Sequence, residues 1–577
     1  MRILLLMETF NSLSQRVHAE LARDGHELAV EFDVHEAATE EGVRLFAPDV
    51  IVAPYLKRAI ARSVWSRYPC LIVHPGIPGD RGPSALDWAI LEDRREWGVT
   101  ILQANEELDG GDIWAFETFP MRVAPKSSLY RHEVTEAAVA ALRRALALYA
   151  RKALRPLSQR ALGGRCDVLS GRAHAPMTQA HRAIDWRTDT TEVVLRKIHA
   201  SDGAPGVRDF VGGKTVYLYG AWPEGGLRGA PGALIGQRDG AVCRATVDGA
   251  VWITHMQAME PQGRGLKLPA VVVLGAAAAD LAQRPAPPAP VPTWREIAWE
   301  QDGAVCHVHF HFYNGAMSRE QCRRLAHAYR EIRHSDARVI VLHGGTDYWS
   351  NGIHLHMIEA AASPADESWR NIEAMDDLVL EILSNDRQLT IAALSGNAAA
   401  GGVFLALAAD AVYVRRGVIL NPHYKNMGNL YGSEYWTYLL PRRLDADEVA
   451  RLRAGRLPVD AATATAIGLI DGALGRTPEE FADAIARLAR AWARPAAWSA
   501  RMAAKAGERE RDEACRPLAS YRACELERMH GNFYGFDRSY HVARHHFTHK
   551  TPHSRTPLYL ATHRRLRSMG ASRERQS

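Results

Sequence analysis

A proline-rich stretch near the middle of the sequence limits how the rest of the chain can fold. Residues 276–292 read AAAADLAQRPAPPAPVP. Proline has no backbone N–H and fixes its own φ angle, so such a stretch forms a semi-rigid, extended connection and not the interior of a helix or sheet. The residues on either side are therefore expected to fold as separate domains.

Size and composition support several folded domains. A chain of 577 residues is too long for one hydrophobic core, and 47% apolar with 24% charged residues is typical of globular proteins. A net charge of +5 gives no indication of nucleic-acid binding. The seven cysteines form no CxxC pair, which favours reduced thiols. The apolar run at the N-terminus is too short for a signal peptide, and no run is long enough to span a membrane, so we expect a soluble cytoplasmic protein without a membrane partner.

The first half alternates short apolar runs with helical or turn segments. Runs at 1–7, 27–34, 49–52, 70–73 and 99–102 read as strands, and residues 14–24 read as the first helix. This alternation predicts a parallel sheet, and open parallel sheets bind ligands beyond the carboxyl ends of their strands. The residues that follow the fourth run are therefore candidates for a site.

Two segments near that edge carry groups for proton transfer. HPGIPGDRGPSALDWAI begins with His74 at a strand end, and GVTILQANEELDGGDIWA places Asp109 and Asp112 around a Gly-Gly turn. A histidine oriented by a carboxylate is the minimum equipment for moving protons during acyl transfer. Each residue alone is also compatible with a structural role.

These segments resemble the formyltetrahydrofolate-dependent formyltransferases. The resemblance assigns the catalytic pair to His74 and Asp112 and implies a Rossmann-type parallel sheet. The segments at 184–207 and 231–257 resemble the small OB-like β-barrel that follows in that family. The chain has Ile72 where the family usually carries an asparagine two residues before the histidine, so the usual Asn-His-Asp set is incomplete.

The second half contains two small-residue turns that precede apolar helical runs. YWSNGIHLHMIEAA occupies residues 348–361, and LSGNAAAGGVFLALAA occupies residues 394–409 with Gly401 and Gly402 at the junction. Amides at a helix start can stabilise a developing negative charge, although a close-packed turn has the same composition. Together the turns resemble the crotonase, or enoyl-CoA hydratase/isomerase, superfamily over residues 294–474. The resemblance assigns the two oxyanion-hole donors to the amides of Ile353 and Gly401.

Two departures from that superfamily argue against water addition. Phe404 and His423 stand where a hydratase carries its two catalytic glutamates. In their place, NPHYKNMGNLYGSEYWTYLLPRRL surrounds Glu434 with polar aromatic residues. Partial desolvation raises the pKa of such a carboxyl toward the range of a general acid or base. A helix-cap or surface role for Glu434 remains the alternative.

The combination of the two halves resembles the HypX (HoxX) hydrogenase-maturation family, which implies synthesis of the carbon monoxide ligand of the nickel-iron site. By resemblance, formyltetrahydrofolate donates a formyl group to coenzyme A, and formyl-CoA then loses CO with Tyr424 and Glu434 acting. The expected partners are these small molecules and, as proteins, a hydrogenase large-subunit precursor or other maturation proteins. Candidate cofactor-binding residues are Gln15, Arg131, Ser201, Asn314 and Gly402.

The C-terminal region is expected to be rich in helices. Its segment FYGFDRSYHVARHHFTHKTPH contains four histidines that could bind a metal on one helical face: His541, His545, His546 and His549. No carboxylate or cysteine in the segment completes a ligand set, so a helix that contacts CoA or lies between domains is favoured and no metal is assigned. The basic residues between 555 and 575 read as a solvated tail.

The predicted fold class is thus a multidomain α/β protein with a formyltransferase-like sheet, an OB-like barrel, a crotonase-like α/β spiral and a helical C-terminal region. The predicted boundaries are, in that order, 1–165, 181–272, 294–497 and 498–577, with the linker at 276–293. Two other functions remain open: a formyltransferase for an amine or sugar joined to an acyl-CoA isomerase or hydratase, and a non-catalytic accessory that binds folate and CoA.

Overall fold

The computed structural model describes residues 1–152, 155–159, 171–287 and 290–565 of the chain. The chain divides into two compact units. The first comprises Met1–Pro261, Pro269–Thr293 and Pro552–Ser577, and the second comprises Gln262–Leu268 and Trp294–Thr551. The finer sequence-based boundaries stay predictions.

The first unit begins with a six-stranded sheet in the order β2-β1-β3-β4-β5-β6. Strands β1 to β4 are parallel, as the sequence predicted, whereas β5 and β6 each run antiparallel to the preceding neighbour. The strands are β1 (Arg2–Met7), β2 (Glu27–Phe32), β3 (Val50–Tyr55), β4 (Cys70–His74), β5 (Glu96–Gln103) and β6 (Ile113–Pro120). The helices that accompany them are Ser12–Arg23, Glu36–Phe46, Arg62–Trp65, Ala85–Leu91, Lys126–Leu129, the π-helical turn Tyr130–Val134 and Thr135–Ala150.

The continuous apolar run of β1 reflects burial on both faces of this sheet. Ile3, Leu5 and Met7 join one hydrophobic cluster, while Leu4 and Leu6 join another. Successive side chains of a strand point to opposite faces, so a strand covered on both sides must be apolar at every position.

A segment from the far end of the sequence covers the edge of this sheet. The Thr556 Oγ1 accepts a hydrogen bond from the Phe32 amide at 2.8 Å and donates one to the Glu31 Oε1. Glu31 also contacts the ring of His563 and the guanidinium of Arg564, each at 2.9 Å. The outer strand β2 therefore does not present an open edge along these residues.

A second sheet of the first unit is antiparallel, with the strand order β7-β8-β11-β10-β9. These strands are β7 (Val207–Val211), β8 (Lys214–Glu224), β9 (Leu234–Arg238), β10 (Ala241–Ala245) and β11 (Ala250–Glu260), with helices at Thr191–Ser201, Ala270–Leu274 and Ala276–Ala279. The start of the predicted linker is thus helical. Its continuation exchanges backbone hydrogen bonds with Gln237 on β9, through the Ala282 carbonyl and the Arg284 amide.

The second unit contains two sheets, ordered β13-β14-β15-β17-β19-β22 and β16-β18-β20-β21. The strands are β12 (Gly263–Pro269, lying mostly in this unit), β13 (Ile297–Asp302), β14 (Val305–Phe310), β15 (Val339–Gly344), β16 (Tyr348–Ser350), β17 (Leu389–Leu394), β18 (Asn397–Ala399), β19 (Ala411–Arg415), β20 (Ile419–Asn421), β21 (Val459–Asp460) and β22 (Gly472–Leu474). Most pairs are parallel; β13 and β21 pair antiparallel.

Helices alternate with these strands and then dominate the end of the unit, as predicted. The helices are the 3-10 turn Tyr313–Gly315, Arg319–Arg333, Leu355–Ala360, Pro364–Leu383, Gly401–Leu407, Trp436–Leu439, Ala446–Gly455, Ala461–Ala466, Pro478–Trp492, Pro495–Cys515, Leu518–Tyr534 and Ser539–Thr548. Local signals set several of their starts: Ser318 and Gln321 form a capping box, and Thr477 caps a helix that has proline in its first turn.

The described cysteines carry free thiols, and Cys166 lies outside the described residues, as does the basic tail beyond residue 565. Among the described helices, none combines the length and the apolar character needed to cross a membrane.

Candidate active sites

The first candidate site is centred on His74 at the carboxyl end of β4. The His74 ring is buried, with Nε2 3.0 Å from Asp80 Oδ1 and Nδ1 3.6 Å from Asp109 Oδ1. Two carboxylates thus flank one imidazole. They fix the orientation of its ring and stabilise its protonated form, as a proton carrier requires.

Backbone geometry holds the two carboxylates in place. Gly76 lies so close to the pair that a methyl group there would collide with His74 Nε2 and approach Asp80 Oδ1 to 2.7 Å. The Gly82 amide donates to Asp109 Oδ2 at 3.1 Å, and Asp109 itself has a positive φ of 53°. A glycine at position 76 is therefore needed for the contact between His74 and Asp80.

Asp112, which the sequence assigned as the partner of His74, does not take that position. Its side chain is exposed, and its backbone oxygen accepts a hydrogen bond from the Gln103 amide. The turn between the two aspartates directs Asp109 toward the ring. The assignment is accordingly corrected from Asp112 to Asp109.

Three predicted ligand-binding residues belong to the same unit. The Gln15 amide nitrogen donates to the Phe10 carbonyl at 2.9 Å, and Arg131 lies half-buried in the π-helical turn. Ser201 is fully buried, and its hydroxyl donates to the Lys197 carbonyl. Their contact with a ligand stays a prediction.

The second candidate site lies in the second unit, where the two small-residue turns meet. A Cβ on Gly352, the residue directly before Ile353, would lie 3.3 Å from the Gly401 nitrogen. Within the described part of the chain, neither the Ile353 amide nor the Gly401 amide donates a hydrogen bond. Two adjacent donors are thus available at one point, the arrangement that an oxyanion hole requires.

Glu434 is placed directly at this point. A methyl group on Gly401 would collide with Glu434 Oε1. The Tyr424 hydroxyl donates to Glu434 Oε2 at 2.5 Å, and the Ser433 amide donates to the same oxygen at 3.1 Å. The structure therefore brings Gly401, Tyr424 and Glu434 together although the first is separated from the last by 33 positions of sequence.

The pKa of Glu434 is raised to about 8, first by burial and then by the negative charges of Asp376 and Glu525. Burial likewise raises the pKa of Asp376 and of Glu525. Hydrogen bonds from Tyr424 and Ser433 act in the opposite direction on Glu434. The carboxyl can therefore take up and release a proton near neutral pH, unlike an exposed glutamate.

Local backbone strain accompanies this carboxyl. Ala400, Glu434 and Tyr435 all have positive φ angles, of 48°, 59° and 59°. Such conformations cost about 1–3 kcal/mol each for residues other than glycine and are concentrated at functional sites. Asp376 holds the strained turn by accepting hydrogen bonds from the Glu434 amide and the Ser433 hydroxyl, each at 2.8 Å.

The residues that replace the hydratase glutamates are built into the wall of this site. Phe404 is buried and stacks on Tyr424, with ring centroids 5.4 Å apart and planes 14° apart. His423 is buried and lines, with Phe404, Tyr424 and Arg453, a pocket on the outer side of the same loop. Burial lowers the pKa of His423 to about 4, so its ring is neutral.

The two remaining predicted residues have visible structural roles. The Asn314 carbonyl accepts a hydrogen bond from the Asn351 side chain at 2.8 Å, and its own side chain is exposed. The carbonyl of Gly402 accepts one from the Trp349 ring, and a Cβ on Gly402 would collide with the Ser350 carbonyl. A ligand contact by either residue stays a prediction.

Sequence reasoning did not identify the carboxylates that support these sites. Asp80 lies inside the quoted HPGIPGD segment, so proximity to His74 was the available signal. Asp376 and Glu525 lie far from Glu434 in the sequence, on the helices Pro364–Leu383 and Leu518–Tyr534. No spacing rule connects them to the loop that carries Glu434.

Three family models match separate parts of the chain. The models are formyl transferase over residues 11–146, the formyl transferase C-terminal domain over 176–263, and enoyl-CoA hydratase/isomerase over 300–546. A methionyl-tRNA formyltransferase of Variovorax paradoxus is 27% identical over 236 residues, which is 40% of this chain and 70% of that protein.

Two relatives are similar over nearly the full length. The hydrogenase maturation factor HoxX of Bradyrhizobium diazoefficiens is 51% identical over 571 residues, covering 99% of this chain and 98% of that protein. The crystal structure of HypX from Aquifex aeolicus in complex with tetrahydrofolic acid is 47% identical, with a TM-score of 0.93 over 98% of this chain and 99% of that chain.

Proposed function

The chain belongs to the HoxX/HypX family of hydrogenase maturation factors, and on that premise we propose that it synthesises carbon monoxide for the nickel-iron hydrogenase active site. The first reaction transfers a formyl group from formyltetrahydrofolate to coenzyme A. The second releases CO from formyl-CoA and regenerates the free thiol. Both small molecules are substrates, and coenzyme A is used again in each cycle.

In the first reaction, His74 carries the proton. The CoA thiol attacks the formyl carbon, so a C–S bond forms and the bond from that carbon to the folate nitrogen breaks. His74 accepts the thiol proton and returns it to the departing nitrogen, while Asp80 and Asp109 stabilise the charged imidazole. The formyl transferase match and the tetrahydrofolic acid bound by the Aquifex relative support folate as the donor.

In the second reaction, the Ile353 and Gly401 amides hold the thioester oxygen. Glu434 accepts the formyl proton, the C–S bond breaks with its electron pair remaining on sulfur, and the same carboxyl returns the proton to the thiolate. The products are CO and CoA, and no other reactant is consumed. Tyr424 stabilises the ionised form of Glu434 through its hydrogen bond.

One observation carries this proposal: a buried carboxyl with a pKa near neutrality is positioned against a pair of available amides. Phe404 offers no proton-transfer group where water addition would need one, which favours decarbonylation over hydration. Elimination of CO from a formyl thioester needs an oxygen site and a single base. The crotonase-like match is the reason for choosing a CoA thioester as the substrate.

The test uses the purified full chain with formyltetrahydrofolate and CoA. A haem reporter measures CO, and chromatography measures formyl-CoA. We expect wild type to release CO, Glu434→Gln to accumulate formyl-CoA without CO, and His74→Ala to form neither product. The control Glu527→Gln changes an exposed glutamate on a neighbouring helix and should behave as wild type. Formyl-CoA without CO from wild type would contradict the decarbonylase assignment.

The two other functions give different results in the same assay. A non-catalytic accessory would bind folate and CoA and form neither product, and Glu434→Gln would leave hydrogenase maturation unchanged. An amine or sugar formyltransferase would consume the folate without forming formyl-CoA. We further propose a hydrogenase large-subunit precursor as the protein that receives the CO.

A further inference from the structure

The histidines of the C-terminal helix acquire in the structure the carboxylate that their own segment lacks. Glu359, on the helix Leu355–Ala360, contacts the His545 Nδ1 through its Oε1 at 2.8 Å. The same oxygen lies 3.9 Å from the His549 Nδ1. One ligand atom from each of these three residues lies within 4.8 Å of the other two.

We propose that Glu359, His545 and His549 form a binding site for a divalent transition-metal ion such as Zn²⁺. The two imidazoles come from positions i and i+4 at the end of the helix Ser539–Thr548, where they lie on one face with ring centroids 4.0 Å apart. Two histidines and a carboxylate are a ligand set used by zinc sites that keep open positions for water.

The observed spacing is close to what coordination requires. Bonds of 2.0–2.1 Å in a tetrahedral site separate neighbouring ligand atoms by about 3.3 Å. The two distances from Glu359 Oε1 fall on either side of this value. Both histidine side chains are about half exposed, so small rotations can complete the geometry without disturbing a core.

The carboxylate is already held by a further residue. Arg544 Nε donates to Glu359 Oε2 at 2.7 Å, and this leaves Oε1 directed at the two imidazoles. Partners of this kind fix the orientation of metal ligands and raise affinity. The Glu359 side chain is 12% exposed, so its position is restricted even before an ion binds.

The location gives the ion a structural consequence. The helix that carries Glu359 starts two residues after Ile353, whose amide is one of the proposed oxyanion donors. The helix that carries the histidines starts against Gly428, in the loop between Tyr424 and Glu434, so closely that a methyl group on Gly428 would collide with Ser539. An ion would link the elements on both sides of the second candidate site.

The experiment titrates the untagged, full-length protein with ZnCl₂ and, in parallel, with CoCl₂. Calorimetry measures the number of ions bound, and the visible spectrum of Co²⁺ reports the ligand geometry. We expect wild type to bind one ion per chain more than the double variant His545→Ala/His549→Ala, and Glu359→Gln to bind that ion at least about tenfold more weakly. The matched control His546→Ala removes an exposed histidine of the same helix and should retain the site.

Amide hydrogen exchange provides an independent readout. Zn²⁺ should slow exchange in residues 354–361 and 539–549 of wild type and of His546→Ala, and not in the double variant. Circular dichroism verifies that each variant is folded, and Glu359→Gln alone decides the test if the double variant is not. Equal ion binding by wild type and Glu359→Gln, or no binding by wild type, would overturn the proposal.

Discussion

Replacing Tyr424 by phenylalanine should move the pH dependence of CO release to higher pH. The substitution removes the hydroxyl that donates to Glu434 Oε2 and keeps the ring that stacks on Phe404. That hydrogen bond favours the ionised carboxylate, so its loss raises the pKa of Glu434 further above about 8. A base acts in its ionised form, and a higher pKa leaves less of that form at neutral pH.

The size of the effect follows from the strength of the bond. A hydrogen bond to a charged group contributes about 1.5–3 kcal/mol, and about 1.4 kcal/mol corresponds to one pKa unit. The pKa should therefore rise by about one to two units, and CO release near pH 7 should fall by about 10- to 100-fold.

The assay measures CO release from formyl-CoA by wild type and Tyr424→Phe across a range of pH. Wild type should gain activity as the pH rises toward 8 and then level off. The variant should be slow at neutral pH and recover at alkaline pH, because hydroxide titrates the same carboxyl. A variant that is equally slow at every pH would show that Tyr424 acts in another way, and an unchanged profile would refute the stabilising role of its hydroxyl.

Further substitutions test other parts of the structure. Gly401→Ala places a methyl group against the catalytic carboxyl and should reduce CO release at least about 100-fold while formyl-CoA still forms, whereas Gly455→Ala, which meets no atom within 4 Å, should have no effect. Asp109→Asn should slow formyl transfer by about 10- to 1,000-fold and Asp112→Asn should not, measured as formyl-CoA formed per minute; the opposite ranking would restore the sequence-based assignment. Glu31→Ala leaves two buried cationic partners unpaired and should lower the free energy of unfolding by about 3–5 kcal/mol in urea denaturation, so a loss below about 1 kcal/mol would contradict the role given to that carboxylate.

Much of the fold was accessible from sequence because its signals are local. The buried run of β1, the Ser318 capping box and the small residues at Gly401 each act over a few positions. The antiparallel direction of β5 carries no such signal, since a strand reads the same in either direction. Family resemblance supplied the link between the two halves, which no local pattern contains.

The sites divide along the same line. The loop from Tyr424 to Glu434 is short, and the structure brings its predicted residues to Gly401 as the sequence suggested. The choice between Asp109 and Asp112 depends on how a three-residue turn directs its side chains, which composition does not determine. Asp376 and Glu359 reach their partners only through tertiary packing, so their contribution could not be foreseen.

The hydrogen bonds on the edge strand β2 affect the order in which the protein can be made. Phe32 and Thr556 are 524 positions apart, so during synthesis β2 leaves the ribosome long before the segment that covers its edge. Throughout that interval the nascent first sheet has an open edge, the surface from which strands of different chains associate. A fragment ending after the first unit's second sheet would keep that edge permanently, and joining residues 552–565 to it should improve its solubility.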